Sequence, residues 1–176
     1  MGESVLKVIK NRRTIARFEE SPVGEEKVKT ILEAGRWAPS WHNRQPWKFL
    51  VIKDQEIRER VSEVVPNVFK SEIIDAPLSI VVCVDPEQDP YHYVEDGAIA
   101  TQNMALAAQS LGLGSIWIGV FNLKGEKESR EAMIKEILDV PDSWRVISLL
   151  PIGVPESVPT SERKKISEIV SWGYAP

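Results

Sequence analysis

Between Ala38 and Trp47 the chain reads Pro39-Ser40-Trp41-His42-Asn43-Arg44-Gln45-Pro46, a combination that few surface loops need. Two prolines fix φ and remove backbone donors, while Ser40, Asn43 and Gln45 hold out short hydroxyl and amide arms. The stretch can therefore act as a rigid hydrogen-bonding platform. A proline-rich turn beside two core tryptophans, Trp41 and Trp47, would use the same residues without chemistry. Near the start, Arg12-Arg13-Thr14 sets two planar guanidiniums beside a hydroxyl, groups suited to gripping a phosphate. Arginines there could equally complement the dipole of a preceding helix. Further on, Gly112, Gly114 and Gly119 surround Trp117 and Ile118. Such glycines let a backbone approach a flat ligand, or stop a helix and bend a strand. Arg163-Lys164-Lys165 is the densest basic cluster, and such clusters are usually solvated surface.

Other chemistries find less support. His42 and His92 are the only histidines and form no paired metal motif; the single cysteine, Cys83, sits in an apolar run and reads as a buried small hydrophobe. No internal disulfide is possible. His92, between two tyrosines, reads as a surface residue, and His42 is better placed but needs no catalytic role.

The elements that position these residues follow from periodicity. Residues 4–10 form a short amphipathic helix that delivers Arg12 at its end. A second helix opens at Gly24-Glu25, with Val28, Ile31, Leu32 and Gly35 at helical spacing, and ends near Trp37, where the polar loop begins. Strands are expected at 48–52, 80–84 and 146–150, the second as a β-branched run buried on both faces. A charged helix capped by Asp54 ends before Pro66, residues 66–75 leave only a small lid, and a solvent-facing helix is expected over 126–138. Residues 97–123 carry no charge, a stretch longer than the ~20 residues that cross a bilayer. Thr101, Gln102, Asn103, Gln109 and Ser110 interrupt it and the glycines break it, so a mostly buried helix followed by a strand is expected.

A chain of 176 residues fits a single domain over 1–176, with 151–176 as an extended C-terminal arm punctuated by Pro151, Pro155 and Pro159. Its net charge of -4 argues against a general nucleic-acid binder. Glu3, Lys7 and Lys10 interrupt any signal-peptide core, which makes the cytoplasm the expected compartment.

Taken together, residues 11–18, the segment Ala38-Pro39-Ser40-x-x-Asn43-x-Gln45-Pro46-Trp47, residues 111–119 and residues 162–166 resemble, in the same order, the nitroreductase family. The resemblance implies an α+β fold, a mixed central sheet flanked by helices, in an intertwined homodimer with two FMN sites at the interface. It implies that Arg12, Arg13, Thr14, Arg163 and Lys164 grip the FMN phosphate and ribityl chain. Pro39, Ser40, Trp41, Asn43 and Gln45 would contact the flavin from across the dimer, and backbone at Trp117, Ile118 and Gly119 would face its ring. The implied activity passes a hydride from NADH or NADPH through flavin N5 to a nitroaromatic, quinone or similar small acceptor, by ping-pong kinetics and without a side-chain nucleophile. A branch performing dehalogenation, enone reduction or flavin cleavage remains open, as does an FMN-binding module with little turnover. One position departs from the family: a basic residue common near flavin N1 is here Ala16, with Arg17 beside it.

Overall fold

The computed structural model describes residues 4–174. Its centre is set by the two most apolar strands, β2 (Leu78–Val84) and β5 (Arg145–Gly153), which pair antiparallel and are buried almost throughout. β1 (Trp47–Ile52) lies outside β2, and two short strands, β3 (Gly114–Ser115) and β4 (Ile118–Gly119), pair with β5. Alternation along β2 sends Val81 and Cys83 to one face and Leu78, Ile80, Val82 and Val84 to the other. On the first face they meet α3 (Gln55–Val64), α4 (Lys70–Asp75) and α6 (Arg130–Ile137), through Val61, Ile73 and Ile134. On the second they meet α2 (Glu25–Arg36) and α5 (Tyr93–Ser110), through Ile31, Met104 and Ala108.

The sheet is antiparallel where a mixed one was expected; among the described residues the one parallel contact is an isolated bridge between Thr14 and Ser115. Continuous burial of β2 arises because helices cover both faces, and it carries no information about strand direction. Residues 66–75 form a turn and α4, which packs Ile73 fully into the core. Two other expectations need correction. The helix expected from residue 126 starts at Arg130, because Ser129 caps it by accepting from Ala132 N–H, while Asn122 Oδ1 turns the preceding chain by accepting from Lys124 and Glu126 N–H. The arm expected from residue 151 begins after Gly153, since Pro151 lies within β5. α5 buries one face only, through Gly97, Ala100, Thr101, Met104, Ala105 and Ala108, and no helix among the described residues is long and apolar enough to cross a membrane.

Candidate functional site

α1 (Val5–Asn11), capped by the Ser4 side chain, delivers the first basic residues at its C-terminal end. Arg13 folds back: its Nη1 donates to the carbonyls of Lys10 at 2.6 Å and Arg12 at 2.9 Å, so this guanidinium completes the helix end as the dipole argument predicts. Arg12 behaves differently. Its guanidinium is half-buried and has no hydrogen-bond partner among the described residues. Burial first, then the charges of Arg163 and Arg13, push its pKa below the ordinary arginine value. Three cations thus converge with no carboxylate paired to Arg12, an arrangement that is unfavourable until an anion joins it.

The same segment lines up against the glycine stretch. Ile15 N–H donates to the Ser115 carbonyl at 3.1 Å, and Thr14 stays exposed at the edge. Gly114 is needed for this contact, because a Cβ there would stand 2.5 Å from the Ile15 side chain, so it serves protein packing and not a ligand. Gly112, at φ +73°, ends α5 in the left-handed region. A Cβ at Gly119, as at Gly112, would meet nothing within 4 Å, and since helix termination already accounts for Gly112, Gly119 is the glycine left for the ligand reading. Ile118 is locked to Leu149 and buried in the core, which leaves its neighbours Gly119 and the 38% exposed Trp117 at the surface.

The chain after Gly119 is held by two residues that sequence reasoning did not single out. Buried Glu131 accepts from Asn122 N–H at 2.8 Å, Val146 N–H at 3.0 Å and Arg145 Nε at 2.7 Å, and Arg145 also donates to the Asn122 carbonyl. Their positions 14 apart in the chain offered no local signal.

The polar loop is held mainly by its own hydrogen bonds. His42, Asn43 and Gln45 all take positive φ, at 47°, 56° and 51°. That region is tolerable for Asn but strained for the other two, and such strain persists only where surrounding contacts enforce it. Ser40 Oγ accepts from Gln45 N–H at 2.9 Å, which fixes its position while leaving its hydroxyl proton to donate; the Asn43 side chain is left without a partner among the described residues. The Trp41 N–H donates to both carboxylate oxygens of Asp96, at 3.3 and 3.4 Å. The Trp41 ring meets His42 and Tyr91 edge-on, with Arg44 over its face. Trp41 and Trp47 are both half-buried, and Pro39 is exposed.

The predicted residues therefore fall into two sets. Arg12, Arg13, Thr14, Arg163 and backbone 117–119 form one; Pro39, Ser40, Trp41, Asn43 and Gln45 form the other. No hydrogen bond or ion pair among the described residues joins them. Among the described residues, five of the more prominent clefts measure about 530–660 Å³, and Arg12, Arg13 and Arg163 line none of these five. Gly119 lines one of them and Gln45 another. Lys164 is exposed, with nothing tying it to either set.

The profile of the Nitroreductase family matches residues 9–77 and 66–154. A protein of Methanothermobacter thermautotrophicus described as a candidate NADH dehydrogenase/NAD(P)H nitroreductase is 38% identical over 88% of this chain and 79% of its own length. A protein of Archaeoglobus fulgidus with the same description is 37% identical over 88% and 87%. Among solved structures, an FMN-dependent nitroreductase of Clostridium difficile superposes with a TM-score of 0.88 at 29% identity, covering 97% of this chain and 99% of that one.

Proposed function

The chain belongs to the nitroreductase family, and from that premise we propose that it is an FMN-dependent NAD(P)H oxidoreductase that reduces nitroaromatic, quinone or similar small acceptors. The observation that carries this reading is the half-buried Arg12, unpaired among the described residues and facing the charges of Arg163 and Arg13, on a segment that bridges through Thr14 and Ile15 to Ser115, four residues before the open backbone at Gly119. FMN ends in a phosphate and begins in a flat ring, and a cationic segment and an open glycine backbone are suited to those two parts. Arg12 and Arg163, with the Thr14 hydroxyl and less directly Lys164, would hold the phosphate. Arg13 contributes charge while its donors stay on the helix end. The N–H group at Gly119 and the surface of Trp117 would orient the ring; the Val120 N–H is taken by the Ile147 carbonyl at 3.4 Å. When bound, FMN supplies the hydride chemistry; the chain supplies binding, orientation and exclusion of water.

The second set of residues would come from a second copy. Along the arm, Ile166, Ile169, Trp172 and Tyr174 are exposed, as are Val5, Leu6 and Ile9 of α1. So much apolar surface on a chain with net charge -4 is consistent with an interface. In a homodimer of this kind Pro39, Ser40, Trp41, Asn43 and Gln45 of one protomer would complete the site of the other.

Purified protein is expected to be yellow, to take up FMN in preference to FAD, and to bleach on addition of NADH or NADPH. A colourless protein that ignores added FMN overturns the reading.

A further inference from the structure

The amide of Gly119 owes its direction to the strand that carries it. Ile116 N–H donates to the Pro151 carbonyl at 3.2 Å and Val120 N–H to the Ile147 carbonyl at 3.4 Å, so the even-numbered amides of this stretch face β5. Amides alternate sides along a strand, which turns those of Trp117 and Gly119 to the opposite edge. At Ser115 that edge is already occupied, because its carbonyl accepts from Ile15 N–H. Beyond it, Trp117 and Gly119 are exposed.

After Val120 the two chains part. Continued in the register that sets Ile118 against Leu149 and Gly119 against Ser148, Asn122 would stand opposite Arg145. Instead the buried carboxylate of Glu131, in the first turn of α6, fills the fork. Its Oε2 takes Asn122 N–H at 2.8 Å from one strand, and its Oε1 takes Val146 N–H at 3.0 Å from the other. Arg145 closes on the same two oxygens, Nε at 2.7 Å and Nη2 at 2.9 Å, and Nη2 also reaches the Asn122 carbonyl. The guanidinium lies 4.5 Å over the Phe121 ring, which meets Tyr93 edge-on. Phe121 is thus gripped by its ring and Asn122 by both of its backbone groups. These charge-assisted bonds secure an end of the strand that its last ladder bond, at 3.4 Å, holds only weakly.

We propose that Glu131 and Arg145 are positioning residues which, by clamping the chain at Phe121 and Asn122, hold the Gly119 N–H at the angle that meets the flavin ring, and so govern affinity for the ring while leaving affinity for the phosphate alone. The inference rests on the assignment of FMN to this edge. Glycine makes such a clamp necessary, because a residue without Cβ has the widest choice of φ and ψ and takes its direction from its neighbours. Pairing of Ile118 with Leu149 imposes that direction from one side, and the clamp imposes it from the other. An ion pair serving structure alone would cost unfolding stability and leave the ring affinity of the folded protein unchanged.

The test separates the two ends of the ligand. Wild type, Glu131→Gln and Arg145→Lys are titrated with FMN and with riboflavin well below their unfolding midpoints, and amide exchange at Gly119 is followed with and without FMN. Glutamine keeps the shape of glutamate but sets an NH2 donor where an oxygen accepts; lysine keeps the charge and loses the planar fork. Each variant should bind both ligands more weakly by one common factor, about two- to tenfold for one misdirected hydrogen bond. The ratio of FMN to riboflavin affinity should therefore stay at its wild-type value, whereas Arg12→Ala should lower it. Protection that the Gly119 amide gains from FMN in the wild type should be largely lost in both variants. If Glu131→Gln does not fold, Arg145→Lys carries the comparison. Unchanged riboflavin affinity in a folded variant, or Gly119 protection equal to wild type, overturns the clamp and leaves the cofactor assignment standing; a wild type that binds neither flavin overturns both.

Discussion

The 39–45 loop and the arm that follows β5 hold candidate residues of the same site in opposite conditions. The loop is stapled by Ser40 to Gln45, tethered through Trp41 to Asp96, and packed with rings around Trp41. The arm is fastened at its root, where Glu19 N–H reaches the Val154 carbonyl and Glu156 N–H the Arg17 carbonyl. Every described residue beyond that is exposed, to the point that Trp172 and Tyr174 are 95% and 96% accessible. Arg163 hydrogen-bonds only its neighbours Ser161 and Glu162, yet its charge reaches Arg12. A loop with its hydrogen bonds closed internally is preorganised to receive a ligand. An exposed arm with little of its own chain beneath is what the proposed dimer would cover, in which case one half of the site would exist before dimerisation and the other would be completed by it.

The contrast breaks most visibly on truncation. A chain ending at Glu156 should lose FMN uptake and run as a smaller species on size exclusion while keeping cooperative thermal unfolding, because the core of β2, β5 and their helices is untouched. Retention of both dimer and flavin would show that the arm is dispensable and remove the asymmetry. Within the cationic set, Arg12→Ala should weaken FMN binding by roughly 1.5–3 kcal/mol, the range for a hydrogen bond to a charged group. Arg13→Ala should mainly cost stability, by about 1 kcal/mol, since its donors close the end of α1. Denaturant melts paired with FMN titrations separate the two, and equal effects on binding would place Arg13 at the ligand.

The smallest effect belongs to Ala16, which is exposed, as is Arg17, between the bridges at Thr14 and Phe18. A cation added near a partly exposed flavin is worth about 4 kcal/mol at most at an effective dielectric of ~20 and ~4 Å, and less after screening. Ala16→Arg should raise the flavin midpoint potential by tens of millivolts, with ~30 mV equal to 1.4 kcal/mol for two electrons. If Arg17 already supplies that charge, Ala16→Arg should be silent and Arg17→Ala should lower the potential. Both silent would displace this segment from the ring.

Much of the candidate site was proposed from residue types alone, since arginines, glycines and a proline-bounded amide loop each have few physical uses. What escaped is what depends on the third dimension. Asp96 carries the same letter as any acid favoured at a helix start, and only packing against Trp41, 55 residues away, separates it from exposed Glu95. Ser40 looked free because its acceptor role depends on a left-handed Gln45. Gly114 looked like a ligand glycine until Ile15 was seen to fill its space. The direction of β2 had no local signal, because hydrophobic pattern reports which faces are covered and pairing direction is settled by contacts far apart in the chain.

The central claim is that Arg12 and Arg163 form a phosphate site, and riboflavin, which carries the same ring without the phosphate, tests it most directly. Equilibrium titration should show FMN binding at least tenfold more tightly than riboflavin to the wild type, with the difference largely erased in an Arg12→Ala, Arg163→Ala double variant. Equal affinity of the wild type for the two ligands would contradict the account.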